Sequence, residues 1–276
     1  MSRLGVCYQG SKNQIAKAIV AALPGGKRFC DLFAGGCAVT HAAILSHKYE
    51  TYLLNDLHGF GVRLFRDAIE GKCNGAWRHW VSREEFFAKR DTDPLVALCW
   101  SFGNNQAQYL YGKNVEERKR KEFEAYLKGA DLPSRQLGVD RIQSLVQVEA
   151  LERLQALERL QALERLQALE FTFASYADYE RRDGDVVYCD IPYASATEGY
   201  RFMKRSGLTF DHAAFWQWAR TRDYPVYVSE STAPDDFAPI WERQKRSIMK
   251  MHDCEYRTRR ECVFAHERFC EKETTK

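Results

Sequence analysis

The stretch RFCDLFAGGCAVTHAAILSHKYETYLLND, residues 28–56, reads as one supersecondary unit. RFCDLF is a short β-rich run, AGG a tight turn, CAVTHAAILSH a helix, and TYLLND a second strand that ends in an acid. That order makes a right-handed crossover between two parallel strands. Gly35 and Gly36 let the backbone pass close to a ligand, and the following helix offers its positive N-terminal end. The turn lacks the GxGxxG spacing of dinucleotide sites, which disfavours NAD. Asp56, closing the second strand, is placed to take ribose hydroxyls. On these residues alone an adenosyl-type ligand and an ordinary strand-to-helix turn both remain open.

Outward from this unit the chain alternates further. KNQIAKAIVAAL (12–23) carries Ile15, Ala18, Ile19 and Ala22 at helical spacing, and Pro24-Gly25-Gly26 stops it. From residue 58 to 170 strand signals fade, and HGFGVRLFRDAIEG, SREEFFAKR, DPLVALCWSF and VEERKRKEFEAYLK read as helices. The polar, aromatic stretch GNNQAQYLYGKN (103–114) joins two of them. Strands return at DVVYCD and PVYVSE, with a helix at DHAAFWQWAR between, and RQKRSIMKM with ECVFAH reads as an antiparallel pair. The expectation is one α/β domain in two parts, 1–57 and 171–276, interrupted by a mainly helical insertion, 58–170.

Residues 151–170 are LERLQA three times followed by LE. Leucine recurs every third residue, whereas an α-helix turns every 3.6, so no single apolar stripe forms and the 3.5 period of a coiled coil is absent. Composition favours helix. A duplicated spacer, a self-associating helix and a short solenoid are the readings left.

The chain has 276 residues, 45% of them hydrophobic, enough for a large packed core. No run approaches a membrane span, and MSRLGVCYQGSKNQ has no apolar signal core. Nine cysteines without a CxxC pair point away from zinc and toward reduced core residues, so a cytoplasmic chain without a metal is expected. Net charge is only +3, but seven Lys or Arg stand against two acids between residues 243 and 260, and Arg201, Lys204 and Arg205 form a second cluster. Both suit a phosphate-facing surface.

The chemistry concentrates in VVYCDIPY, residues 186–193. An exocyclic amine such as N6 of adenine is a poor nucleophile because its lone pair is delocalised into the ring. Two acceptors on its N–H bonds would hold it in the geometry of attack. Asp190 can supply one and the carbonyl of Ile191, restrained by Pro192, the other, while Tyr193 offers a ring for stacking. What remains is alignment with an activated methyl group. A base inside a duplex would first have to be flipped out.

These motifs, in this order, resemble the Dam-type (D12 class) DNA adenine-N6 methyltransferases. YQGSK (8–12) resembles the family's N-terminal cofactor segment, DLFAGGCAV its glycine motif, and LLND its ribose-binding acid. SYADY (175–179) resembles the segment beside the cofactor's adenine, VVYCDIPY the catalytic DPPY strand, and TRRECVF the closing strand. The resemblance implies a Rossmann-like class I methyltransferase sheet and S-adenosyl-L-methionine as cofactor. It implies duplex DNA as partner, in a DNA-modification or restriction–modification role, with the motif order of the α group. It makes Tyr8, Gln9, Gly10, Lys12, Asp31, Phe33, Asp56 and Tyr176 cofactor-site candidates beside Gly35, Gly36 and Asp190, with Asp190, Ile191, Pro192 and Tyr193 catalytic. The insertion would be the target-recognition region. There Asn104, Asn105, Gln106, Gln108, Tyr109 and Lys113 are DNA-contact candidates, joined by Arg201, Lys204, Arg257 and Arg259. Ile191 replaces the usual first proline and Ser11 a glycine, and the loop 101–114 does not reproduce the pattern of GATC-specific relatives. An RNA or protein-amide methyltransferase, or an inactive binding relative, are the alternatives; self-association would run through residues 151–170.

Overall fold

The computed structural model describes residues 4–73, 75–128, 168–194, 207, 209–248 and 256–270. Its centre is a seven-stranded sheet in the order β3-β2-β1-β4-β5-β7-β6. The strands are β1 (Arg28–Asp31), β2 (Thr51–Asn55), β3 (Leu169–Thr172), β4 (Asp185–Asp190), β5 (Val226–Glu230), β6 (Phe237–Ile248) and β7 (Tyr256–His266). The first five pair in parallel, and β7 runs antiparallel to both β5 and β6.

Among the described residues seven α-helices accompany the sheet: α1 (Ala16–Ala22), α2 (Ala38–Ser46), α3 (Phe60–Ile69), α4 (Arg83–Lys89), α5 (Pro94–Cys99), α6 (Glu116–Leu127) and α7 (His212–Thr221). The central strands are apolar on both faces, as a parallel sheet covered on both sides requires. Phe29, Tyr52, Leu54, Val186 and Tyr188 pack into one cluster with residues of α1, α2, α3 and α5. Their neighbours Cys30, Leu53, Val187 and Cys189 join Phe215, Trp216 and Ala219 of α7 on the other face. Val96, Leu98, Trp100, Tyr109 and Phe123 of the insertion belong to the first cluster, so the described insertion helices pack on the same core as the sheet.

β3 differs from the expected boundaries. It begins at Leu169, inside the stretch assigned to the insertion, and takes its first two residues from the end of the LERLQA run. Its four residues pair with Tyr52–Asn55 of β2, and this edge pairing makes Leu169-Glu170 a strand despite their helical preference. Residues 151–167 lie outside the described residues, as does any self-association through them. Among the described residues seven cysteines are buried, Cys270 is half-buried, and these eight are free thiols. Among the described residues no helix is long and apolar enough to cross a membrane, and no group of three acidic, Cys or His side chains could hold a metal ion.

Candidate functional site

Strand order reverses between β1 and β4, the place where an open α/β sheet leaves a crevice beyond its strand ends. A cavity of about 150 Å³ lies there. Tyr8 to Lys12, Asp31, Phe33, Gly35, Gly36, Asp56, Asp190 and Pro192 line it, so most of the cofactor candidates come together. Ile191, Tyr193 and Tyr176 do not line it. Ile191 turns its side chain into the cluster under α7, and Tyr176 stacks on Phe33 at 5.5 Å within an aromatic group that includes Phe210 and Phe215.

The two glycines also make room for neighbouring parts of the chain. A Cβ on Gly36 would sit 2.5 Å from Tyr8 Cβ and 2.9 Å from the Val6 carbonyl oxygen. Gly35 has φ +48° with the Tyr8 ring above it, and a Cβ on Gly61 of α3 would run into the Gly35 carbonyl. The absent side chains therefore admit the N-terminal segment and α3, and these in turn build the cavity wall. Val6 N–H donates to the Gly36 carbonyl at 2.8 Å, and Gly5 N–H to Nδ1 of His41 at 2.9 Å. Burial lowers the His41 pKa to about 4, which keeps that ring a neutral acceptor.

Asp56 serves partly as a backbone brace. Its Oδ2 accepts from Gly35 N–H at 3.0 Å, and its Oδ1 from the amides of His58 and Gly59 at 3.0 and 2.9 Å. A lone pair remains on Oδ2 for a ligand hydroxyl. Asn55, beside it, was not singled out in the sequence. Its amide donates to the Leu32 and Ala174 carbonyls and accepts from Thr172 Oγ1 and Ala174 N–H, tying the ends of β1, β2 and β3 together.

Asp31 and Asp190 end adjacent strands. Thr40 Oγ1 donates to Asp31 Oδ2 at 2.7 Å, while Asp31 Oδ1 is buried without a partner. Burial, opposed by the Thr40 hydrogen bond and reinforced by the charges of Asp190 and Asp56, raises the Asp31 pKa to about 8. Asp190 Oδ1 holds Lys12 Nζ at 2.8 Å. Burial raises its pKa as well, and the Lys12 charge and hydrogen bond oppose that rise. Ser11 Oγ is a further buried oxygen without a partner in this cavity. An acceptor-rich wall with two unpaired oxygens fits a ligand that brings positive charge and N–H donors.

The tetrapeptide is braced from outside the motif. The Pro192 carbonyl is 2.7 Å from His212 Nε2, Ala194 N–H donates to Glu230 Oε1 at 2.7 Å, and Tyr193 OH donates to Glu261 Oε2 at 2.8 Å. Lys12 Nζ sits 4.3 Å from the Tyr193 ring centroid, a cation–π contact that joins the N-terminal segment to the tetrapeptide. Sequence reasoning passed over Thr40, Tyr188, Phe210, His212 and Glu230. Strand alternation was a usable signal for Tyr188 alone, two residues before Asp190 on the same face.

The insertion loop places its candidates unevenly. Asn104 Nδ2 donates to the Leu98 carbonyl at 2.9 Å, and Asn105 Oδ1 accepts from Ala107 and Gln108 N–H at 2.9 and 3.0 Å. Tyr109 is buried with its OH donating to the Val81 carbonyl at 2.7 Å. These side chains hold the loop's own shape. Gln108 and Lys113 are exposed, whereas Gln106 lines the cavity. Arg257 and Arg259 lie on β7 opposite Ser247 and Lys245; Arg201 and Lys204 lie outside the described residues.

No curated protein matches the chain. The model of the D12 class N6 adenine-specific DNA methyltransferase family matches residues 8–128, from the Tyr8 segment through α6. The DIPY tetrapeptide lies beyond the matched stretch, at the end of the strand beside it in the sheet. Over that stretch the chain is similar to the D12 class N6 adenine-specific DNA methyltransferase family, and this match, with the seven-stranded α/β sheet, indicates a DNA adenine-N6 methyltransferase.

Proposed function

We propose that the methyl donor is S-adenosyl-L-methionine, held at the carboxyl ends of β1, β2 and β4, and that DIPY receives an adenine flipped out of duplex DNA. The observation that carries this reading is the Lys12–Asp190 pair at the meeting point of the donor cavity and the tetrapeptide. Tyr8, Gln9, Gly10 and Lys12 would form one wall with Gly35 and Gly36. Asp31 would face positive charge, Asp56 the ribose, and Phe33 with Tyr176 the adenosyl ring. When bound, the donor supplies an electrophilic sulfonium methyl group.

The chain's own residues do the rest. Lys12 occupies Asp190 Oδ1 and favours the carboxylate, leaving Oδ2 to accept an N–H of the target amine. The Ile191 carbonyl would take the second N–H, which frees the lone pair from the ring, and the Asp190 carboxylate would accept the proton the amine loses on methylation. Burial of the Ile191 side chain and the hydrogen bonds to Pro192 and Ala194 fix that carbonyl in place. Tyr193, held through Glu261, stacks on the base. This is catalysis by alignment and electrostatics.

The insertion, 58–170, is the proposed target-recognition region, in the motif order of the α group. Its exposed Gln108 and Lys113, with Arg257 and Arg259, are the DNA contacts this reading favours. Asn and Gln suit adenine edges, and Lys and Arg suit guanine or phosphate. Single-molecule sequencing of DNA from cells expressing the protein tests the reading. N6-methyladenine in one short sequence context is expected. Unmodified DNA from a protein that still binds the donor would point to RNA or a protein amide as acceptor.

A further inference from the structure

Gln106 was a candidate base reader, yet its side chain lies inside the molecule. The residue is 5% exposed, it lines the donor cavity, and its Oε1 is buried without a hydrogen-bond partner. It holds φ +56°, as Asn104 does, with Gly103 at +59° between α5 and Asn104. A left-handed backbone suits asparagine but is unfavourable for a glutamine, where it persists if surrounding structure over-determines it.

The loop does over-determine it. Ser101 Oγ, itself buried, accepts from Gln106 N–H at 3.0 Å, and Phe102 N–H donates to the Gln108 carbonyl at 2.9 Å. Asn104 and Asn105 complete the frame from either side. A rigid loop thus keeps an amide oxygen buried and unpaired in the cavity wall. A buried acceptor without a donor is costly, so its counterpart is to be sought in a ligand.

Two other oxygens share this condition in the same cavity, Ser11 Oγ from the N-terminal segment and Asp31 Oδ1 from β1. Three acceptors from three segments match the three N–H donors of one ammonium group, whose charge also suits Asp31. We infer that Gln106 Oε1 receives the α-ammonium of the donor's amino-acid end, beside Ser11 and Asp31, and so ties the insertion loop to the bound donor. The inference rests on S-adenosyl-L-methionine being that donor. Gln106 is then a positioning residue, and donor binding and the loop conformation are reciprocally linked.

Calorimetry on the full chain tests this with S-adenosylhomocysteine and with its analogue lacking the α-amine. Gln106→Leu is expected to weaken S-adenosylhomocysteine about tenfold or more, the scale of a hydrogen bond to a charged group. It should leave the deaminated analogue unchanged, because the lost partner is already missing. Gln106→Glu, which keeps an acceptor and adds charge, should bind S-adenosylhomocysteine at least as tightly as the parent. Equal losses for both ligands, or none for either, would overturn the assignment. Failure of the parent chain itself to bind S-adenosylhomocysteine would instead remove the donor reading on which it stands.

Discussion

The two ends of β1 and β4 are built from the same pair of strands and treat their charges in opposite ways. At the N-terminal end, Arg28 donates to both oxygens of Asp185 at 2.9 and 2.7 Å and to Glu170 at 2.9 Å. Tyr179 OH donates to Asp185 as well. Burial works against the Asp185 carboxylate, but the hydrogen bonds from Arg28, Tyr179 and the Arg182 amide together hold its pKa below the ordinary value. At the C-terminal end, Asp31 and Asp190 are both pushed up, one carboxylate oxygen has no partner, and a single lysine serves Asp190. One end is electrostatically complete and contributes to folding. The other leaves its acceptors for a ligand, as functional sites do.

Breaking the complete end should give the largest loss of stability. Arg28→Ala leaves the buried Asp185 carboxylate unpaired and is expected to cost about 3–5 kcal/mol in denaturant unfolding. Methyl transfer per folded molecule should be retained. At the open end, Lys12→Ala should lower methyl transfer about 10²–10³-fold, a loss on the scale of one electrostatic contact to the reacting group. Without the lysine the Asp190 pKa rises further, so the residual rate should climb with pH as the carboxylate forms. A pH–rate profile of the variant checks the sign. Gly61→Ala tests the wall between the two regions. The added methyl meets the Gly35 carbonyl, and overpacking of about 1–3 kcal/mol should appear in thermal unfolding together with weaker donor binding.

A further effect is a pH dependence. The Asp31 carboxyl, raised to about 8 in the folded chain, stays protonated near neutral pH, whereas its unfolded value is about 3.9. Because the folded pKa is the higher one, this group's contribution to stability falls as pH rises from about 4 to about 8. A cation bound beside it favours the carboxylate and expels the proton. Donor affinity should therefore increase with pH up to about 8, by at most about tenfold per unit, and level off above. Calorimetry in buffers of different ionisation enthalpy reads the released proton, and Asp31→Asn should remove both trends.

Much of this arrangement was legible in local signals. The strand–turn–helix of residues 28–47 follows from period and glycine placement, and the apolar run DVVYC before DIPY marks the strand that the tetrapeptide ends. The start of β3 was not legible, because its first two residues close a helix-forming repeat and become strand only by pairing with β2. The roles of Gly35 and Gly36 were half read. Backbone proximity was foreseeable, but the approach of Tyr8 and α3 was not. Gln106 read as a surface polar residue because burial of a loop glutamine depends on left-handed turns that its own residue type does not announce. The Arg28–Asp185 pair spans 157 residues, a separation at which charge pattern carries no register.

The division of labour between the two strand ends has one most direct measurement. Purified protein is incubated with duplex DNA and S-adenosyl-L-methionine, and N6-methyladenine is quantified by nucleoside mass spectrometry for the parent, Asp190→Ala and Arg28→Ala, each scaled to its folded fraction. The predicted result is N6-methyladenine from the parent and from Arg28→Ala, and a loss of about a thousandfold in Asp190→Ala with its unfolding midpoint preserved. Substantial N6-methyladenine from Asp190→Ala would contradict the assignment of the chemistry to that end of the sheet.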